Sequence, residues 1–511
     1  MDLSLRLACP PYQPRFRTAV VVAFSIVLLM HSARAQTDAD PDVTPTPAGR
    51  SLVFPDALGN PVEMAPEEVP EHPQPRPDQR QVPKARRGTK ASDTRAARLR
   101  GAAGEGIEWF SSKQPGLSPY LSGLDEYSNT AVQPGAVITN DPISRGVQRL
   151  KYTLADHGFY YALAQAFEYV TLTHVPPPAQ DLGYYSYDFF FKQSVFHLLD
   201  DGTAGWVSGE LYGGAALGAA SRRTTPVDAL RSVANPATSV WGLYGVAVAE
   251  LAWQQAFAGR SVVALAGVID QANYLDTNAY ANFSFGQFQN SAFVNSQVLP
   301  LTVGNLGLNL QWQPHADFYA IFGVGPNNAT AGSPPWNELS GGDMSYLLEA
   351  AFVPGDLGGL GPGAYRLQPF VATVSGVTQA GVGLNFNQQL GRHSPLGIFG
   401  RFGGGGKTVT NVGGARAQVA TGLVVQSPLH HLRLLREGTA NLIGLGFVWS
   451  QPSADRRPAA HENEYGVEVL YVFQITPTAY LTPDIQVIWD PANNADLGNS
   501  LVFQLPLVTS W

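Results

Sequence analysis

From residue 157 to the C-terminus, apolar and polar side chains alternate with the two-residue period of a strand. Asn463 to Thr476 (NEYGVEVLYVFQIT) shows it best: Tyr465, Val467, Val469, Tyr471 and Phe473 share one face, while Glu464, Gly466 and Glu468 begin the other. A carboxylate at every second position cannot face hydrocarbon, so the apolar face is expected to meet lipid and the charged face water. The same pattern puts Val382, Leu384 and Phe386 outward with Asn385, Asn387 and Gln389 inward. It also puts Ile485, Val487 and Trp489 outward with Asp484 and Gln486 inward. The last strand, 499–511, carries Leu501, Phe503, Leu505, Leu507, Thr509 and Trp511 on one face, an aromatic-ended strand suited to a membrane interface. Pro506 on its other face removes a ladder bond and counts against a central strand.

About sixteen such segments are expected, each near the length of a tilted membrane-crossing strand. They are 157–168, 184–194, 204–216, 241–256, 260–269, 303–312, 315–324 and 343–353, then 364–374, 380–390, 395–404, 415–425, 439–449, 463–475, 478–489 and 499–511. The fold class expected is all-β, a closed antiparallel transmembrane β-barrel. An even number of strands leaves both ends on one side of the membrane.

The connections have a phase. After even strands the breaks are mostly tight (257–259, 314–315, 392–394, 476–478); after odd strands come long excursions at 169–183, 217–240, 270–302, 325–342 and 450–462. Outer-membrane barrels have this asymmetry, and a soluble sandwich has no reason to keep its long loops on one rim. The long connection at 426–438 and the short one near 375–379 break the rule.

The start of the chain is different. Residues 1–35 read as a secretory signal, with Arg15 and Arg17 before the apolar run 19–30 and the small-x-small pattern Ala33-Arg34-Ala35. The only cysteine, Cys9, lies there, so no disulfide is expected. Residues 36–106 are rich in proline and charge and read as a disordered periplasmic tail. Residues 107–156 form a lead-in segment in which 143–156 (ISRGVQRLKYTLAD) carries apolar residues at helical spacing before Gly158. The barrel is expected to occupy 157–511.

Composition narrows the function. Only 14% of the 511 residues are charged, 53 are glycine and the formal net charge is −8. An acidic chain with no further long apolar run argues against nucleic acid as a partner and against spanning helices. Gly403 to Thr408 (GGGGKT) fails as a phosphate loop, because Arg401 stands where the pattern needs glycine. No nucleophile elbow, HExxH pair or CxxC set is present, and the adjacent His430 and His431 have no ligand spacing; neither an enzyme nor a bound cofactor or metal is expected.

A polar inner face suggests a channel. The loop 270–302, rich in Asn, Gln, Tyr and Phe, is expected either to fold into the lumen and offer amides and aromatic faces to sugars, or to stay in solvent. Phe399 and Arg401 share an inward face, a pairing that can stack on and hydrogen-bond a sugar. Glu210, Glu250, Glu349, Glu464 and Glu468 are also expected inward, opposing Arg401 and Lys192 across a constriction or simply keeping the wall hydrated. Asn385 and Asn387 complete the candidate lumen set. A one-residue slip would turn any of them outward.

The chain also resembles the OprB-like carbohydrate-selective porins of Gram-negative outer membranes. The likeness sits in RLKYTLADHGFYYALAQAFEYV, in GLYGVAVAELAWQQAFAGRSVVALAGVID with NSAFVNS, in QQLGRHSPLGIFGRFGG and in FQITPTAYLTPDIQVIWDP. It covers nearly all of 144–511 and omits the tail. It implies a sixteen-stranded barrel passing monosaccharides and small oligosaccharides passively across the outer membrane, with lipid around it. A monomer and a trimer are both compatible with it. The competing expectations are a barrel that anchors the 36–106 tail to the cell wall, and a barrel enzyme.

Overall fold

The computed structural model describes residues 142–510, apart from single residues and short stretches, chiefly 197–203, 239–244, 328–341 save Trp336, 407–413, 429–440 and 454–460. It also describes a two-residue antiparallel pairing of Phe54–Pro55 with Pro61–Val62. The expected signal and nearly all of the expected tail lie outside the described residues, as does Trp511.

A helix, α1 (Pro142–Ala155), precedes the first strand. Strands β1 (Phe159–Leu172), β2 (Asp181–Phe196), β3 (Ala204–Ala216), β4 (Ala247–Phe257) and β5 (Val262–Ile269) are followed by β6 (Asn305–His315), β7 (Phe318–Pro326) and β8 (Met344–Phe352). The second half holds β9 (Gly363–Val374), β10 (Val377–Gln389), β11 (Leu396–Gly404), β12 (Ala415–Gln426), β13 (Asn441–Pro452) and β14 (Glu464–Thr476). Then come β15, in two pieces (Ala479–Leu481 and Asp484–Trp489), and β16 (Asn499–Ser510).

Each strand pairs antiparallel with its neighbours, and β16 returns to β1, from Val502 opposite Leu172 to Ser510 opposite Ala164. The result is a closed sixteen-stranded barrel. Closure removes the edges that unpaired strands would expose. Pro506 therefore sits inside a continuous sheet, contrary to its edge-strand reading. It faces the break at Thr482–Pro483 in β15, where Thr482 N still donates to the Pro506 carbonyl at 3.0 Å. The proline is tolerated because the ladder is interrupted there anyway.

The outer face is the alternating apolar set: Phe167, Trp253, Trp312, Leu348, Leu384, Leu445, Val469, Ile485 and Leu501 are all exposed. Long connections follow β3, β5 and β7, and tight ones follow β4, β6 and β14, so the long loops share one rim. The short β9–β10 turn and the long β12–β13 connection stand as exceptions.

Two long loops fold inward. The β3–β4 loop carries a short helix, α2 (Pro226–Leu230), whose N-cap Thr225 accepts from Asp228 N. The β5–β6 loop carries a 3-10 turn (Gln271–Asn273), capped by Asp270, and a short helix, α3 (Ser291–Val294), capped by Asn290. The loops hydrogen-bond to each other: Thr238 N donates to Gln289 O at 2.9 Å and Ser291 N to Asn235 O at 2.8 Å.

Candidate functional site: a loop fastened across the lumen

The inner wall is not uniformly polar, and that explains why a loop enters. Tyr319, Ile321, Leu347, Phe370 and Ala372 point inward and cluster with Leu275, Val298, Leu299 and Leu301 of the β5–β6 loop. Farther round, Phe399, Ala420, Val424, Val448 and Leu470 cluster with loop residues Tyr280, Phe288, Ala292 and Phe293. An apolar wall facing water would be unfavourable by about 25 cal/mol per Å². The loop covers it.

Glycine lets the loop lie close. A Cβ built on Gly446 would stand 2.6 Å from the Phe293 ring, and one on Gly444 2.8 Å from Phe288. Tyr280 occupies the space over Gly397, while Val298 and Leu299 occupy that over Gly403 and Gly383. Inward glycines at alternate strand positions thus form a smooth floor for the loop.

The polar wall residues then grip it. Asp276 is the hub, fully buried, with a left-handed backbone (φ 62°) that Asp adopts more readily than most residues. Its Oδ2 accepts from Arg401 Nε at 2.9 Å and from Ser296 N at 2.6 Å; its Oδ1 accepts from Asn385 Nδ2 at 2.7 Å. Its carbonyl accepts from Arg401 Nη2 at 2.7 Å, and its own N–H donates to Glu349 Oε2 at 2.8 Å. Arg401 Nη1 donates further to the carbonyls of Ala281 and Phe293. The loop therefore accepts four of the five guanidinium N–H groups.

Glu349 also accepts from Tyr319 OH and Gln368 Nε2, each at 2.8 Å, and lies 3.7 Å from Arg366 Nε. Asn387 Oδ1 accepts from Ala279 N and from Arg366 Nη1, each at 3.3 Å. Glu468 takes the backbone N–H groups of Gln289 (2.6 Å) and Asn290 (3.0 Å). Glu250 accepts from Tyr274 OH at 2.8 Å, and Glu210 from Asn273 Nδ2 at 2.8 Å. Glu464 holds the other loop, accepting from Ser232 Oγ (2.6 Å), Val233 N (2.8 Å) and Ala234 N (3.3 Å). Pro236 O of that loop accepts from Gln486 and Gln504.

All ten candidate residues sit on the inner face, but the picture of an open sugar track at Phe399 and Arg401 needs correction. Both are completely buried. Phe399 packs edge-on against Phe288, 5.0 Å between centroids, and against Phe293 at 6.1 Å. The expected transverse field between wall charges is likewise altered: Arg401 is neutralised by a carboxylate of the loop, and Lys192 lies 4.6 Å over the Trp206 ring on the neighbouring strand. At these positions the polar wall binds backbone and side chains of the loops where water was expected. Asp276, Arg366, Tyr274 and Gln368 were not singled out by alternation. For Asp276 the only signal was its place in a long polar loop, and for the floor it was glycine recurring within strands.

A closed barrel with an apolar outer band, one rim of long loops and a lumen narrowed by a fastened loop is the architecture of porin-type outer-membrane barrels. Residues 373–509 match the model of the carbohydrate-selective porin OprB family. Among solved structures, the high-pH form of Pseudomonas putida OprB is 16% identical, with 71% of this chain and 96% of that one covered and a TM-score of 0.54. The low-pH form is also 16% identical, over 74% and 99%, with a TM-score of 0.46. A triple mutant of Rhodopseudomonas blastica porin is 11% identical over 69% and 100%, with a TM-score of 0.41. No curated protein sequence matches. The resemblance to the OprB-like porins drawn from the sequence therefore stands, and the matching family is one of channels rather than enzymes.

Proposed function

We propose that the chain is a passive outer-membrane channel for small sugars, in which the β5–β6 loop sets the constriction. Of the ten candidate residues, Phe399, Arg401, Asn385, Asn387, Glu210, Glu250, Glu349 and Glu468 act by fixing that loop's position, Glu464 fixes the β3–β4 loop beside it, and the polar side chains of the loop and of the remaining wall meet the solute. The observation that carries this reading is the fastening of one loop, leaving β5 at Ile269 and returning at Asn305, to strands as far round as β14. A partition that only sealed the membrane would need no such internal bar, whereas a selective pore needs a rigid narrow point. The match of residues 373–509 to the carbohydrate-selective family model supports sugars as the solute class. We further propose export by the 1–35 signal.

Reconstituted in planar bilayers, the protein is expected to conduct ions and to be partly blocked by millimolar hexose. In liposome swelling, monosaccharides should enter faster than disaccharides. Conductance with no sugar block and no size ranking would remove sugar selectivity while leaving the channel, and no conductance at all would remove both.

A further inference from the structure

The helix α1 has its apolar stripe on the wrong side for a helix packed on a protein. Ile143, Val147, Leu150 and Leu154 recur at spacings of four, three and four and form one stripe, yet Ile143 is 51% exposed and Leu150 40%. Among the described side chains of α1, those buried are polar: Ser144, whose Oγ is 2.9 Å from Thr478 Oγ1, and Lys151, whose Nζ stands 5.1 Å over the Tyr161 ring.

These two anchors fix how the helix lies. Thr478 is in the tight β14–β15 turn, on the rim opposite the long loops, the periplasmic side of such barrels. Tyr161 is on the outer face of β1, near its start, in an aromatic group with Phe159 and Phe189. Seven residues of helix from Ser144 to Lys151 span roughly 10 Å. From the β14–β15 turn to β1 is about two strand spacings, again roughly 10 Å. The helix axis therefore follows the rim, in the plane of the membrane, with its C-terminal half on the lipid side of the wall. At about 100° per residue, the anchoring face of Ser144 and Lys151 lies about a right angle from the stripe. The stripe then points along the barrel axis.

We infer that α1 is an interfacial foot whose apolar stripe rests in the periplasm-facing leaflet of the same membrane the barrel spans, against anionic phospholipid. Two observations select lipid as the occupant. The helix lies against the outer face of β1 at the rim, with Lys151 over the Tyr161 ring. The helix sequence also holds Arg145 and Arg149 and no acidic residue, the charge pattern of a surface helix that binds anionic headgroups. Lys151, buried with its ammonium over the Tyr161 ring, holds the helix to that wall.

The test uses the full chain in vesicles of phosphatidylethanolamine and phosphatidylglycerol, with Cys9→Ala removing the native thiol and a fluorophore on Leu150→Cys or Asp317→Cys. Asp317 lies in the tight β6–β7 turn on the same rim and serves as the aqueous reference. Nitroxide-bearing phospholipid should quench the label at 150 several-fold more than that at 317, and iodide should show the reverse order. In a second variant, Leu150→Asp, the barrel should keep its heat-dependent gel shift while trypsin cleavage at Arg149 and Lys151 rises several-fold in vesicles. Equal lipid quenching at the two positions, unchanged cleavage, or self-quenching between labels on two copies at 150 would overturn the inference.

Discussion

The two faces of β14 follow the same alternation and differ in what it means. Outside, Tyr465 and Val469 are exposed apolar positions, as the alternation alone predicts. Inside, Glu464 and Glu468 are as polar as the pattern requires, yet both are buried, one beneath the β3–β4 loop and the other beneath the β5–β6 loop. A polar face shows that something hydrogen-bonding lies opposite. It does not distinguish water from peptide backbone, which offers donors of the same kind.

The strongest way to break the inner face is at its hub. Asp276→Ala would leave the Arg401 guanidinium buried without its carboxylate, and breaking a buried pair on one side costs about 3–5 kcal/mol. Thermal melting in detergent and protease nicking within 277–295 should report a barrel that persists while its loop detaches. A loop as protected as in the unsubstituted protein would show that Asp276 does not hold it.

Next in size is a paired test on neighbouring residues of β13. Leu445→Arg, on the outer face, should cost about 2–4 kcal/mol if it lies near mid-membrane, read as lost folding into lipid vesicles. Gly446→Val, on the inner face, should cost about 1–3 kcal/mol by overpacking against Phe293, and should alter conductance instead of insertion. If both variants had the same phenotype, the division of labour between the faces would be wrong.

The smallest effect is a pH dependence at the loop's first residue. Burial pushes the Asp270 carboxyl up to about 7, opposed by its bond from Ala272 N–H and reinforced by the nearby Glu250 and Asp188 carboxylates. A carboxyl raised from the ordinary 3.8 favours the folded loop in its protonated form. That contribution is complete below the ordinary value and is lost as pH rises through about 7. Protease protection of the loop neck should therefore fall between pH 5 and pH 8, and Asp270→Asn should flatten the profile. A profile unchanged by Asp270→Asn would place the titration elsewhere.

Much of the barrel was legible in the sequence because its outer face is apolar from strand to strand, and that alternation has a fixed period. Strand 204–216 coincides with β3, and most other boundaries moved by a few residues. The largest shift came at 241–256, where the strand begins only at Ala247. The site was less legible. The inward direction of Arg401 and Glu468 follows from the register, but their partners lie 125 and 179 positions away in a loop with no period of its own. The in-strand glycines were the available sign that another chain segment lies on the wall.

The most direct test of the fastened constriction is the single-channel conductance of the Asp276→Ala/Arg401→Ala double variant, which removes both charges and leaves neither unpaired. A released loop predicts a larger conductance and weaker discrimination between mono- and disaccharides than in the unsubstituted channel. Identical conductance and an identical sugar ranking would contradict the account.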